Sequence, residues 1–285
     1  MNPAPLAIVL VALVASSTAS AQPVAGVPGA GPPLTAAPRA PTSPRVVHAP
    51  TAWLLPSRQL HVGLGASHRL DPSAQLALGV GGVAEVDLEL TDRLIACPGC
   101  GEERVEHNLF AASALFKLGL ATAAVRPWRL GAALGFRRTI AARAVTAGGR
   151  DAAIEAAQLH LVVGGRWAGV ELHAGAELFD AQHGDVRLPR GVAHTLRPLA
   201  ALAWTPPPYP RTTMLLDVAW TPEVKDGPPQ LRWLVGWGVR YQAMRWGSID
   251  LVVRQREDQA LGDSAVLVRV AGSLALGRRL GVGLR

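Results

Sequence analysis

Lysine is almost missing from this chain of 285 residues: Lys117 and Lys225 are the only two. Charged residues of all kinds make up 17%, against about 25% in ordinary soluble domains. Cysteine occurs twice, which excludes a disulfide-rich scaffold. Long apolar runs are absent too. After residue 21 no stretch of ~18 uncharged apolar residues appears, so helical membrane spans are excluded. Yet 49% of the residues are hydrophobic. That apolar content is spread thinly, about one residue in two, which points to strands rather than to helices. The formal charge of +7 comes almost wholly from arginines. They recur singly and form no patch or helical stripe, so nucleic acid is not an expected partner.

Leu6 to Ala15 form a short apolar core, and Ser16 to Ala21 end in the small-x-small triplet Ala19-Ser20-Ala21. This is the pattern of a secretory signal cleaved after Ala21, since the apolar run is about half a bilayer long. From Gln22 to Pro50 the chain is proline, alanine and glycine. Such a composition buries too little apolar surface to offset its ordering entropy, and a disordered periplasmic linker is expected over 22–50.

Beyond it, over 51–285, the period is two. Between Gln75 and Leu90 the even positions Leu76, Leu78, Val80, Val86, Leu88 and Leu90 are apolar, while the odd ones include Gln75, Gly79, Glu85, Asp87 and Glu89. The same alternation predicts strands over His107–Leu120, Trp128–Ala144, Ala168–Leu178 and Leu231–Tyr241. Less regular strands fit 59–69, 93–97, 152–163, 192–204, 213–221, 247–256 and 264–276. No helical period intervenes, which excludes a parallel α/β sheet. A secreted β-sandwich would also alternate, but with a bulky buried face and a freely hydrated outer one. Here the polar face is rich in glycine and alanine, with isolated arginines and carboxylates. That suits the confined interior of an antiparallel transmembrane β-barrel of about 12 strands, within a range of 10–14.

Turns support this. Thr91-Asp92-Arg93, Gly164-Gly165-Arg166 and the stretch around Met244 to Gly247 are expected as short turns; Asp180–Gly191, Pro222–Gln230 and Glu257–Asp263 as long polar loops. Bacterial barrels place short turns at the periplasmic end. Trp128, Trp167, Trp204 and Trp246 then fall at that end, as an interface belt.

The segments Ala84–Leu94 and Ala114–Leu120 resemble strands and turns of outer-membrane β-barrel proteins from GC-rich Gram-negative bacteria. The resemblance runs over residues 51 to 285. It implies a barrel in a lipid bilayer, delivered to the outer membrane by the barrel-assembly machinery, and no particular activity. Such barrels commonly end in an aromatic residue, whereas here Leu280, Val282 and Leu284 alternate toward Arg285.

Candidate chemistry is sparse. Cys97 and Cys100 form a Cys-x-x-Cys pair, compatible with redox chemistry, half a zinc site or a plain disulfide. No helix start is at hand to lower a thiol pKa, and only His107 is close as a further ligand. A disulfide pinching an outer loop is expected in an oxidising compartment. No metal or cofactor is expected. His173, Glu171 and Glu177 share one strand face, but no serine motif accompanies them, so no enzyme is expected. The inward residues form two walls. Glu85, Asp87, Glu89, Glu171 and Glu177 are acidic; Arg129, Arg137, Arg143, Arg197, Arg232, Arg240, Arg254 and Arg269 are basic. One reading is a passive channel or solute-binding barrel whose arginine excess favours anions. The other is an interior of ion pairs that plugs the barrel and leaves an anchoring or structural protein.

Overall fold

A computed structural model describes residues 43–67, 72–96, 108–141, 143–145, 151–183, 186–191, 195–224, 228–257 and 260–277. The expected signal, Cys97, Cys100 and the chain end from Leu280 lie outside them. The strands are β1 (Gln59–Ser67), β2 (Pro72–Val80), β3 (Ala84–Ala96), β4 (Asn108–Val125), β5 (Trp128–Ala141), β6 (Arg143–Val145), β7 (Asp151–Trp167), β8 (Val170–His183), β9 (Val186–Arg187), β10 (Leu196–Trp204), β11 (Thr212–Val224), β12 (Gln230–Met244), β13 (Gly247–Arg256) and β14 (Ala265–Ala275). The short β6 and β9 pair antiparallel with β7 and β8 at their loop ends. The others form a closed antiparallel barrel of 12 strands, each paired with its neighbour in the chain and sealed by β1 against β14. Closure leaves no sheet edge along the ring.

Outward side chains are apolar: Leu76, Leu88, Phe116, Phe136, Leu172, Leu216, Leu251 and Val268 are all exposed. Inward ones are polar and buried, with Glu85, Asp87, Lys117, Asp217 and Asp250 at no more than 1% exposure. This inversion excludes a soluble sandwich, because water would face the apolar side.

Of the expected loops, Asp180–His183 belongs to β8 and Pro222–Val224 to β11, and the short turns depart from expectation at two places. Thr91-Asp92-Arg93 lies within β3, at a register shift between Thr91 and Leu94. The chain reverses earlier, at Gly81 and Gly82, which both carry positive φ. The stretch 75–90 is therefore two strands, and of the strand expected over 93–97 the described residues 93–96 belong to the second of them. Gly164-Gly165-Arg166 lies within β7, and the reversal follows at Ala168-Gly169, again with positive φ. The turn expected near Met244 is present, between Met244 and Gly247.

The stretch expected to be a linker up to Pro50 is folded from Ser43 onward. Arg45 pairs with Pro50 in an isolated antiparallel bridge, Val46 N–H donates to Ala49 O, and Thr51 N–H donates to Pro44 O. This tight reversal is buried, as are Ala52 and Leu55 beyond it. The chain then leaves the interior at the end of the barrel that carries the short turns, where Arg58 N–H donates to Gly79 O before β1 begins. At the other end β3 and β11, half a turn apart on the ring, pair in parallel through Ile95↔Glu223 and Ala96↔Val224.

Candidate functional site

The site is the barrel interior together with the segment Ser43–Pro56 that occupies it. Its first contact is a carboxylate gripping a main-chain loop. Asp217, inward on β11, accepts the N–H groups of Val47 at 3.0 Å, His48 at 2.5 Å and Ala49 at 2.7 Å on its single atom Oδ2. Successive N–H groups turned to one point form an anion-binding concavity, here satisfied by a side chain. Beside it, Asp250 of β13 holds two arginines. Arg240 Nε donates to Oδ1 at 2.9 Å and Arg269 Nε to Oδ2 at 2.9 Å. Both guanidinium groups also reach Val46 O, at 3.1 and 3.4 Å.

On the opposite wall Arg45 enters an acidic cluster. Its Nη2 lies 2.8 Å from Asp87 Oδ2, its Nη1 pairs with Glu89, and Glu89 also pairs with Arg137. Gln75 Nε2 donates to the same Asp87 oxygen at 2.8 Å. Burial alone would weaken the hold of Arg45 on its proton. The carboxylates of Glu89 and Asp87 more than reverse this, so its charge is retained.

Lower in the barrel the wall meets Ala52–Leu55. Lys117 lies 2.9 Å from Glu85 Oε1 and donates to Trp53 O at 3.0 Å, while Glu85 Oε2 accepts Leu55 N–H at 2.9 Å. Ala52 N–H donates to His173 Nδ1 at 3.2 Å. Arg166 pairs with Glu171 at 2.5 Å and stacks over the Trp53 ring, 5.0 Å from its centroid.

Inward glycines make the room. A Cβ on Gly79 would lie 2.1 Å from Pro56 O, on Gly119 2.9 Å from Leu54, on Gly131 2.7 Å from the Trp53 ring, on Gly164 2.9 Å from Ala52 and on Gly236 2.9 Å from Val47. These five come from five different strands, so the whole wall is shaped around the segment.

Among the residues singled out in the sequence, Asp87, Glu89 and Arg137 meet at Arg45; Arg240 and Arg269 meet at Asp250; Glu85 meets Lys117 and Glu171 meets Arg166. The others lie at further places on the wall. Glu177 is buried on the inner face of β8, Arg197 stacks on Trp220 at 5.1 Å, and Arg232 pairs with Glu257 near the long loops. Arg129 is exposed at the short-turn end of β5, Arg254 sits on the inner parity of β13, and the Arg143 side chain is outside the described ones. Sequence reading missed Arg45, Trp53, Asp217 and Asp250. The last two carried a signal: each is a carboxylate flanked by apolar residues within a strand, as in Leu215-Leu216-Asp217-Val218. Trp128, Trp167, Trp204 and Trp246 all fall at the short-turn end, with Trp128 and Trp167 at 5.6 Å. Among the described residues no group of three or more side chains is placed to hold a metal ion.

Fold and interior together define a class: a closed barrel with an apolar outer wall and a charged lumen filled by its own chain. No family model matches the chain, and no curated protein matches it. Solved structures do show a likeness, at low identity. KdgM porin, in complex with disordered oligogalacturonate, matches with TM-score 0.45 and 5% identity over 76% of this chain and 99% of its own. Outer membrane phospholipase A from Escherichia coli matches with TM-score 0.41 and 8% identity over 77% of this chain and 97% of its own. A loop-deletion form of OmpT, an outer membrane protein of Vibrio cholerae, matches with TM-score 0.39 and 9% identity over 76% and 97%.

Proposed function

We propose that this protein is an outer-membrane β-barrel closed by its own N-terminal segment, an anchoring barrel that does not conduct at rest. One observation carries the reading: Pro44–Pro56 lies in the lumen and is bound by opposite walls, by Asp217, Arg240 and Arg269 on one side and by Asp87 and Glu89 on the other. A freely open channel would leave those groups to water. The apolar outer face supports a bilayer as the surrounding medium, and the expected signal over 1–21 supports export. Insertion by the assembly machinery and a tether formed by residues 22–42 complete the picture.

Two measurements test it in order. Protein from an outer-membrane fraction should migrate differently on a detergent gel before and after boiling, since an unboiled closed sheet stays folded. The same protein in a planar bilayer should pass no steady current. Steady conductance by the unaltered chain refutes the plug. A chain with no mobility shift, recovered from the soluble periplasm, refutes the barrel in a membrane.

A further inference from the structure

The wall holds Ser43–Pro56 mostly by its main chain. Asp217 takes the N–H groups of Val47, His48 and Ala49, Arg240 takes Val46 O, Lys117 takes Trp53 O, Glu85 takes Leu55 N–H, and His173 takes Ala52 N–H. Such contacts read that the occupant is a polypeptide and not which residues it carries, because every residue but proline offers the same N–H and C=O. Apolar side chains such as Val47 and Leu54 fill space left by glycines, and two larger side chains enter pockets of their own. Arg45 fills the acidic cluster of Asp87 and Glu89, and Trp53 fills a slot left by Gly131 beneath Arg166. Backbone contacts for affinity with a few side-chain pockets for selectivity are the recurring design of peptide-binding sites.

We propose that the lumen is a receptor for an extended polypeptide segment carrying an arginine and, eight residues on, a tryptophan, filled in cis by Ser43–Pro56 and open in trans to such a segment of a periplasmic partner. Access is from the short-turn end. The segment leaves the lumen there, with Pro56 O against Gly79, while the opposite mouth is crossed by β3 and β11. This inference rests on the plugged reading. Because the segment runs directly into β1, its effective concentration is on the order of millimolar or above. A partner therefore gains entry only where the cis contacts are weakened.

The test uses the full chain with Arg45→Ala and Trp53→Ala, its fold checked by the gel shift, and a fluorescent synthetic peptide of residues 43–56 as probe. The double variant should bind the peptide saturably and at least tenfold more tightly than it binds the same peptide lacking both side chains. The unaltered chain should bind neither, and peptide should block any current that the variant passes. A variant that conducts but binds no peptide overturns the receptor and leaves the plug standing. A folded variant that neither conducts nor binds also counts against it, since the two pockets then do not anchor the segment. Conductance by the unaltered chain removes the plugged reading beneath it. If the double variant fails to fold, Trp53→Ala alone carries the same comparison.

Discussion

Replacing Asp217 probes the plug at its narrowest support. Its Oδ2 accepts three consecutive main-chain donors, on Val47, His48 and Ala49. A hydrogen bond to a charged group is worth about 1.5–3 kcal/mol. Three bonds sharing one oxygen are not additive, so about 3–4 kcal/mol for the set is a reasonable magnitude. Asp217→Ala deletes the acceptor and strands the donors, which should raise the undocked fraction by roughly 10²–10³-fold at about 1.4 kcal/mol per decade. Asp217→Asn keeps an oxygen and loses only the charge assistance, so about tenfold is expected. Single-channel recording in planar bilayers reads this as open probability. The expected order is Asp217→Ala above Asp217→Asn above the unaltered chain. The reasoning fails if folded Asp217→Ala protein is as silent as the parent, or if the asparagine variant opens more often than the alanine one.

Lys117 offers a chemical reading of the same equilibrium, because it is 0% exposed behind Trp53 and the chain has just one other lysine. In folded protein an amine-reactive reagent should leave Lys117 unmodified by mass spectrometry and should label it in Asp217→Ala; labelling in the unaltered chain contradicts the plug. Gly79→Ala should loosen the exit of the segment, since the new methyl would meet Pro56 O at 2.1 Å and Leu55 O at 2.6 Å, both main-chain atoms that no rotamer change can clear. Overpacking of this kind costs about 1–3 kcal/mol, to be seen as a lower transition temperature in a gel-shift series; an unchanged temperature contradicts the packing described.

The barrel was legible because its period is physical. An inward face of small and charged residues and an outward face of leucine, valine and phenylalanine cannot be exchanged without placing charge in lipid. The expected strand number agrees with the observed one through two compensating errors. Leu78 pairs with Val86 and Leu76 with Leu88, so the even positions stay outward through the hairpin and the period runs on unbroken. The signal there was Gly81-Gly82, a turn dipeptide hidden inside an intact alternation. The opposite error, a turn read inside a strand, occurred at Thr91-Asp92-Arg93, where it split off 93–97 as a strand of its own and restored the count, and in β7, where it left the count unchanged. Gly164-Gly165 has turn chemistry, but a Cβ on Gly164 would meet Ala52 at 2.9 Å and one on Gly165 would meet Trp128 at 3.1 Å. A glycine pair in a strand thus marks either a reversal or a close approach, and local sequence does not separate the two.

The plug was illegible for a different reason. The charged walls were visible, and ion pairs across the lumen were one of the two readings; what bridges them is a chain segment read as linker. Val46, Val47, Ala49 and Ala52 pack by smallness and are held through N–H and C=O groups that every residue possesses. Such binding leaves no periodicity on the bound segment. Its trace lies on the wall instead: a carboxylate flanked by apolar residues at Asp217, and inward glycines at Gly79, Gly119, Gly131, Gly164 and Gly236 where an open lumen would have no use for the space. An inward glycine in a water-filled pore costs backbone entropy with nothing packed against it. In a barrel of this width, several of them on different strands therefore argue for an occupant, and Arg45, one of two arginines in the stretch 22–50, is the residue that answers Asp87 and Glu89.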